Sequence, residues 1–256
     1  MNSFVLLDKY INFALANNRY NSCIIKGRSS TGKTTNVLRK VKEKAEGNYV
    51  YLNGHLTPKE MFNCYKDNPD AVVILDDIDA LLDSAVAVGL LKSACTENSN
   101  GERRIFYASS RDEEIYSVFR GKTFLLCNNL PKNPDLIAIG ARSICYNFEP
   151  SNIEIITEIQ KMQENDAEVV TFLSQLFAQN NLLNFRHYFK AKELKEMYPT
   201  EWRELTLPLL NLSDRYGVLQ SIISNSSLSV EEQATLYEKE TGKSRASFFR
   251  DKKRVV

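Results

Sequence analysis

The chain has 256 residues, 43% of them hydrophobic and 25% charged, with a formal net charge of +1. That length suffices for one large domain or two small ones, and the composition is that of a globular protein rather than a disordered or fibrous one. Taken alone, a net charge so close to zero argues against a protein that coats nucleic acid or a membrane surface.

The N-terminus and the cysteines predict a cytoplasmic protein. No apolar run approaches the ~20 residues that a membrane helix needs, and Asp8 and Lys9 interrupt the first apolar run, which argues against a signal peptide. The five cysteines, widely spaced and odd in number, are expected to be reduced core thiols rather than a disulfide framework or zinc ligands. They are Cys23, Cys64, Cys95, Cys127 and Cys145.

Residues 3–17 are predicted to form an amphipathic helix, because Phe4, Leu7 and Ile11 recur at helical spacing. Short apolar runs then alternate with helical segments as far as Pro150. The expected strands are 23–25, 49–52, 71–75, 105–108, 123–127 and 143–148, and the expected helices are 34–46, 58–66, 80–96 and 113–119. This alternation predicts an α/β domain over residues 1–150, with a mostly parallel sheet and helices on both faces.

Beyond residue 150 the pattern becomes helical. Helices are expected at 153–162, 168–177 and 185–198, which predicts a helical subdomain over residues 151–212. A small third unit is expected over residues 213–256. There two polar breaks, at 225–227 and 241–244, separate three short helical stretches.

The sequence GRSSTGKT at residues 27–34 follows the first predicted strand and precedes a helix, which is the context of a phosphate-binding loop. Its glycines allow the backbone to approach phosphates, and its amides form an anion cradle at the helix N-terminus. Lys33 is expected to reach the β and γ phosphates of ATP, and the Thr34 hydroxyl to bind Mg²⁺. The expected nucleotide-binding residues are Gly27, Arg28, Ser29, Ser30, Thr31, Gly32, Lys33, Thr34 and Thr35. The alternative is an ordinary Gly/Ser loop.

Two carboxylates end the buried strand in AVVILDDID, residues 71–79. They emerge at the carboxyl end of the strand, where open α/β sheets bind ligands. Asp76 fits the carboxylate that holds Mg²⁺ through water, and Asp77 fits the residue that orients or deprotonates the attacking water. The alternative is a pair of solvated loop residues.

With these motifs the sequence resembles the AAA+ class of P-loop ATPases over residues 3 to about 210, and most of all the small ATPases of bacteriophages, plasmids and other mobile elements. The resemblance also rests on the stretch at 53–79, the GLLKSAC helix at 89–95 and TFLLCNNLP at 123–131. The class usually has Asp-Glu where this chain has Asp76-Asp77. The shorter carboxylate predicts slow or partner-dependent hydrolysis.

The resemblance implies three further site residues. Asn128 or Asn129 would contact the γ-phosphate, and Asn128, directly after the apolar run, is the preferred candidate; the alternative is that both asparagines only end a strand. Arg142 would act as an arginine finger on the neighbouring subunit's nucleotide, unless it is a solvated surface arginine. Arg186 fits the second arginine of a helical lid, unless it is a helix-surface residue paired with a glutamate.

The net charge is unevenly distributed along the chain. Residues 239–256 hold seven basic and two acidic side chains, a charge of +5, which leaves −4 on the remaining 238 residues. A compact basic module at the C-terminal end therefore predicts a contact with DNA that the net charge conceals.

The basic C-terminal segment also resembles a helix-turn-helix, with Gly242 in the turn and Ser244 capping the second helix. Leu236, Ala246 and Phe249 are expected to pack inward. The candidate DNA contacts are Lys243, Arg245, Ser247, Arg250 and Lys253. The alternatives are a polybasic arm that binds phosphates without sequence preference and a solvated basic helix.

The sequence thus predicts an ATP-hydrolysing homo-oligomer, in the form of a ring, spiral or filament. It would act on DNA or on a replication or transposition partner, in a bacterial or phage-infected cell and without a membrane. Its role would be that of a loader, remodeller or target-selection ATPase. The alternative is a nucleotide-gated DNA-binding adaptor or filament former, in which ATP binding drives assembly and hydrolysis is weak.

Overall fold

The computed structural model describes residues 1–17, 19–97, 102–109, 112–130, 133–177, 182–210, 219, 222–223 and 228–255, without the side chains of 108–109, 112–115 and 253–255. The chain divides into two compact units, Met1–Pro150 and Ser151–Val256. The further division predicted between residues 212 and 213 stays a prediction, and the polar break predicted at 225–227 lies outside the described residues.

A five-stranded parallel sheet forms the centre of the first unit. In chain order the strands are β1 (Ser22–Lys26), β2 (Tyr49–Asn53), β3 (Val72–Asp76), β4 (Arg104–Ser109), β5 (Asp112–Val118), β6 (Lys122–Cys127) and β7 (Ile144–Asn147). The sheet order is β2-β3-β6-β1-β7. The three inner strands are almost wholly buried, as expected where helices cover both faces of a parallel sheet. The predicted α/β fold class is confirmed.

Six helices belong to the described part of the first unit. They are α1 (Ser3–Ala16), α2 (Lys33–Lys44), α3 (Pro58–Asp67), α4 (Asp79–Leu82), α5 (Ala85–Cys95) and α6 (Pro134–Arg142). The single helix predicted at 80–96 was wrong, because it is divided between α4 and α5. The hydroxyl of Ser84 accepts a hydrogen bond from the Ala87 N–H and begins α5, in line with the preference of serine for helix N-caps.

The helix predicted at residues 113–119 was also wrong, because this segment is strand β5. It pairs antiparallel with β4 in a separate two-stranded sheet, so the strand predicted at 105–108 exists but does not join the parallel sheet. Only two residues separate β4 from β5, whereas parallel pairing needs a crossover of a dozen or more. Ile105 is buried, and Tyr107 stacks on Phe62 of α3 with ring centroids 5.5 Å apart, which holds the hairpin against the helices.

The described helices of the second unit are α7 (Asn152–Gln160), α8 (Ala167–Leu176), α9 (Phe185–Met197), α10 (Trp202–Leu209), α11 (Val230–Thr241) and α12 (Arg245–Val255). The first three agree with the predicted helices to within two residues. Ser151 begins α7 with a capping box that includes Glu154, and Trp202 is buried edge-on to Phe172 with ring centroids 5.0 Å apart.

Helices α11 and α12 form a helical hairpin around Gly242, whose φ of +65° ends α11 in the left-handed conformation expected of this glycine. The expected inward packing of Ala246 and Phe249 was wrong. Both are exposed, while Phe248 is fully buried. The buried Tyr237 hydroxyl donates a 2.7 Å hydrogen bond to the buried carboxylate of Asp251.

The five cysteines are free thiols, three of them buried. The expected core position was wrong for Cys145, which is exposed because it lies on the edge strand β7. Burial raises the pKa of the Cys64, Cys95 and Cys127 thiols to about 11. In the described residues, no helix has both the length and the apolarity required to span a membrane.

Candidate functional site

The loop at residues 27–34 begins where Gly27 leaves β1 and passes close to the chain beyond β7. The Gly27 N–H donates to the Cys127 carbonyl at 3.2 Å, and a Cβ at position 27 would lie 2.1 Å from the Phe148 carbonyl oxygen. Gly32 has a φ of +91° at the start of α2. The path of the backbone therefore favours glycine at both positions.

The N-terminus of α2 carries no side-chain cap, because its N-cap residue is Gly32. In contrast, Asn2, Thr57 and Asn133 cap α1, α3 and α6 with side-chain oxygens. The first N–H groups of α2 have no acceptor within the helix, and the helix dipole favours an anion there. This end of α2 therefore fits a phosphate group.

The Lys33 side chain is buried against the loop of residues 27–34. Its Nζ donates to the carbonyl oxygens of Gly27 and Arg28, the latter at 2.8 Å, and to Asn128 Oδ1 at 3.2 Å. Burial lowers the pKa of the Lys33 ammonium, and nearby Asp76 partly opposes that effect. All three partners are neutral oxygens, so an anionic phosphate would be a stronger partner for this cation.

The predicted Mg²⁺ residues are joined directly. The Thr34 hydroxyl donates to Asp76 Oδ2 at 2.6 Å, and Asp76 is buried at the end of β3. The Tyr51 hydroxyl donates to the same oxygen at 3.0 Å, and Asn53 Nδ2 donates to the Tyr51 oxygen at 2.8 Å. A hydroxyl beside a carboxylate at a phosphate loop fits the oxygen ligands that Mg²⁺ prefers.

Tyr51 and Asn53 were not among the predicted site residues. The backbone register places Asn53 opposite Asp76 and Tyr51 opposite Ile74, so both residues lie near the carboxyl ends of the strands, as Asp76 does. Burial raises the pKa of Tyr51, which keeps its hydroxyl protonated and able to donate. The only signal in the sequence was two polar groups at the end of an apolar strand, which becomes informative only when the strand order is known.

Asp77 follows Asp76 with its side chain exposed and its backbone at φ +50°. This left-handed conformation is uncommon for a residue other than glycine, and such strain concentrates at functional sites. The pKa of the neighbouring Asp79 is raised by burial and by the charge of Asp77.

Of the two candidate asparagines, Asn128 is half-buried against Lys33, and Asn129 is exposed.

The rest of the loop is held by its own contacts. The buried Thr31 hydroxyl donates to the Arg28 carbonyl at 2.8 Å, and Arg28 pairs with Glu149 at 2.8 Å and donates to the Pro150 carbonyl. Glu149 was not among the predicted residues. Among the other predicted loop residues, Ser29 and Thr35 are exposed and Ser30 is half-buried with a φ of +59°.

The two predicted arginines lie on different units. Arg142 is the last residue of α6, is exposed, and donates to the Ala138 carbonyl of its own helix at 3.2 Å. It directly precedes the turn into β7, the edge strand of the parallel sheet. Arg186 is the second residue of α9 in the second unit and is exposed.

The predicted DNA contacts lie on α12 and in the turn before it. Lys243 is exposed, Arg245 is exposed and paired with Glu231 at 3.0 Å, and Arg250 is exposed and donates to Ser247 Oγ at 3.0 Å. Ser247 is buried, next to the fully buried Phe248 in sequence. The side chain of Lys253 lies outside the described residues.

No protein-family model and no curated protein matches the sequence. Solved structures do match the fold. A point mutant of Thermotoga maritima RuvB matches with a TM-score of 0.56 and 13% identity, over 92% of this chain and 82% of that chain. Domain III of the Thermotoga maritima replication initiation protein DnaA matches with a TM-score of 0.53 and 18% identity, over 80% of this chain and 90% of that chain.

The Aeropyrum pernix ORC1 protein, solved in complex with DNA, matches with a TM-score of 0.54 and 15% identity, over 93% of this chain and 76% of that chain. At such low identities these similarities concern the fold alone. This chain has the fold of the AAA+ P-loop ATPases, as its motifs predicted.

Proposed function

We propose that this protein is an ATPase that binds ATP at the loop of residues 27–35 and hydrolyses it as a homo-oligomer. The observation that carries the proposal is the meeting of four predicted side chains from three segments of the chain. Lys33 contacts Asn128 at 3.2 Å, and Thr34 contacts Asp76 at 2.6 Å. An ordinary Gly/Ser loop would not require a buried lysine beside a hydroxyl-carboxylate pair.

In this proposal the Lys33 ammonium exchanges the carbonyl oxygens of Gly27 and Arg28 for the β and γ phosphates of ATP, and the N–H groups at the start of α2 bind phosphate oxygens. Thr34 and Asp76 would hold Mg²⁺, which neutralises charge on the phosphate oxygens when bound. The Thr34 hydroxyl can donate its proton to Asp76 and still present oxygen lone pairs to the cation.

The hydrolytic step is assigned to Asp77 and Asn128. Asp77 orients a water molecule and accepts its proton, while the water oxygen bonds to the γ-phosphorus and the bond to the β–γ bridging oxygen breaks, yielding ADP and phosphate. Asn128, already in contact with Lys33, donates to a γ-phosphate oxygen. Arg186 is proposed to contact bound nucleotide on the sequence resemblance alone, and Arg186→Ala should weaken ATP affinity if it does.

Arg142 is proposed to complete the site of a neighbouring subunit. The support is its exposure beside the edge strand β7, at a position that matches the arginine finger in the sequence resemblance. A permanently charged guanidinium stabilises the charge that develops on the transferred phosphoryl group. A single subunit would then hydrolyse ATP slowly, and activity would depend on assembly into a ring, spiral or filament.

The second candidate function is a nucleotide-gated adaptor, and Asp77 is the observation that favours it. Its carboxylate is one methylene shorter than the glutamate usual in this class, and its backbone is in the left-handed conformation. If this geometry places the carboxylate too far from the water, ATP binding would drive assembly and hydrolysis would be incidental.

The variants Lys33→Ala and Asp77→Asn distinguish the two functions. Lys66→Ala is the control, because Lys66 is an exposed lysine of α3. If the protein is an ATPase, Lys33→Ala loses ATP binding, and Asp77→Asn binds ATP and assembles but turns over about 10²- to 10⁴-fold more slowly. Fluorescent-ATP binding, light scattering and phosphate release measure these three properties. Unchanged turnover in Asp77→Asn favours the adaptor, and wild-type protein that fails to bind ATP rejects both functions.

We further propose that the assembly acts on DNA, in the replication or transposition of a mobile element. The basic side chains of α12 and of Lys243 before it support a DNA partner, and two proteins of the same fold are a replication initiation protein and a protein solved with DNA. The mobile-element setting and a cytoplasmic location are supported by the sequence resemblance and the cysteine pattern. Electron microscopy with a non-hydrolysable ATP analogue, with and without DNA, tests both assembly and DNA contact.

A further inference from the structure

Asp76, the carboxylate proposed to bind Mg²⁺, is held by a second residue besides Thr34. Its Oδ2 accepts hydrogen bonds from the Thr34 hydroxyl at 2.6 Å and from the Tyr51 hydroxyl at 3.0 Å. Tyr51 belongs to β2, which pairs with β3 along its whole length, so a continuous backbone ladder connects the tyrosine to the strand that ends in Asp76.

Asn53 fixes the direction of the Tyr51 hydrogen bond. Its side-chain amide donates to the Tyr51 oxygen at 2.8 Å, and an amide nitrogen can only donate. The phenol must therefore use its own proton elsewhere, and the Asp76 carboxylate, which can only accept, receives it. The result is a directed chain from exposed Asn53 through half-buried Tyr51 to buried Asp76.

This series of hydrogen bonds affects cation binding, because a carboxylate binds a metal ion well only when its oxygens are correctly oriented. Groups that hydrogen-bond to a metal ligand fix its rotamer, and losing one typically costs 10- to 100-fold in metal affinity or activity. Thr34 also hydrogen-bonds to Asp76, but its hydroxyl oxygen is itself a proposed ligand of the cation. Tyr51 touches Asp76 from the neighbouring strand instead.

We propose that Tyr51, oriented by Asn53, is a positioning residue that holds Asp76 for Mg²⁺ and so sets the cation affinity of the nucleotide complex. The proposal rests on the proposed nucleotide site. It assigns to β2 the function of orienting Asp76, which neither the proposed phosphate loop nor the two aspartates provide.

The test uses Tyr51→Phe, which removes one oxygen and keeps the ring, in the full-length protein. Tyr49→Phe is the matched control, because Tyr49 lies two positions earlier on the same face of β2, opposite Val72 and away from the Asp76 end. A fluorescent ATP analogue is titrated in EDTA, and Mg²⁺ is then titrated into the complex, so the readout is independent of turnover. Mn²⁺ binding measured by electron paramagnetic resonance provides a second readout.

We expect Tyr51→Phe to bind the analogue in EDTA like wild type, while the Mg²⁺ concentration at half-saturation rises about tenfold or more. Asn53→Ala should shift the Mg²⁺ curve in the same direction by a smaller factor, and Tyr49→Phe should leave it unchanged. Identical Mg²⁺ curves for Tyr51→Phe and wild type would overturn the proposal. So would a loss of analogue affinity in EDTA as large as the loss in Mg²⁺, because the effect would then not concern the cation. Wild-type protein that fails to bind the analogue in either condition would instead reject the nucleotide site itself.

Discussion

Gly27 shows how a single residue can decide whether the phosphate loop forms. A side chain there would collide with main chain, because its Cβ would lie 2.1 Å from the Phe148 carbonyl oxygen. We expect Gly27→Ala to lower the free energy of unfolding by about 1–3 kcal/mol or more, as overpacking does, and to abolish ATP binding. Urea unfolding and ATP titration measure the two effects.

Gly89→Ala is the matched control for Gly27→Ala. Gly89 lies within α5, and a Cβ there would meet no atom within 4 Å. Alanine should stabilise this helix position by roughly 0.5–1 kcal/mol. If Gly27→Ala is as stable as wild type, the close approach of Gly27 to Phe148 does not control folding of the loop.

At the scale of elements, Asp166 links the start of α8 to α9. Its carboxylate accepts hydrogen bonds from the Glu168 and Val169 N–H groups and pairs with Lys195 at 2.8 Å. Burial acts to raise the pKa of Asp166, but the hydrogen bond from Lys195 and those from the backbone outweigh it, so the pKa is below its usual value. The ionised carboxylate therefore stabilises the folded state.

We expect Asp166→Ala to lower the unfolding free energy by about 1 kcal/mol near pH 7. Because the pKa of Asp166 is depressed by folding, its contribution is present above the ordinary pKa of 3.8 and is lost as the pH falls through the lower folded value. The difference between wild type and variant should thus shrink below about pH 4. Asp166→Asn, which retains a capping oxygen without the charge, should cost less and show little pH dependence in denaturant unfolding.

The helix pair α11 and α12 is the element proposed to contact DNA. Deleting residues 239–256 would not test this cleanly, because it also removes buried Phe248 and Asp251, the partner of Tyr237. The exposed basic residues Arg245 and Arg250 can be replaced without opening that core.

We expect the double variant Arg245→Ala, Arg250→Ala to weaken DNA binding and to reduce the salt dependence of log affinity by about two units of slope, one for each phosphate that is no longer neutralised. Lys66→Ala removes an exposed positive charge from α3 and should change neither quantity. Fluorescence anisotropy over a salt series measures both. An unaltered slope in the double variant would place the DNA contact elsewhere on the molecule.

At the scale of the whole molecule, the proposed finger would make ATPase activity depend on assembly. Arg142→Ala leaves a complete nucleotide loop but no finger, and Asp77→Asn leaves the finger but no functional water-orienting carboxylate. If Arg142 acts on a neighbour, each variant alone should turn over about 10²-fold or more slowly, and mixing the two should restore part of the activity.

Phosphate release from a mixing series of the two variants measures this complementation. Wild-type specific activity should also rise with protein concentration, since assembly supplies the finger. A mixture no more active than its components would show that Arg142 does not complete a neighbouring site.

The sequence by itself determined the fold class and most element positions, and it located the proposed phosphate loop. These features are local. The loop is contiguous, Asp76 directly ends an apolar strand, and apolar periodicity depends on neighbouring residues. Three helices of the second unit were predicted to within two residues for the same reason.

Only the tertiary structure decided the features that depend on pairing between distant segments. The 113–119 segment became a strand because β4 lies beside it, and Phe248 rather than Phe249 became buried because α11 packs on that side of α12. Tyr51 reached Asp76 through the register of β2 on β3, which no local pattern encodes. Strand order and helix rotation are set by the packing of the whole core, and they determine which side chains meet at the site.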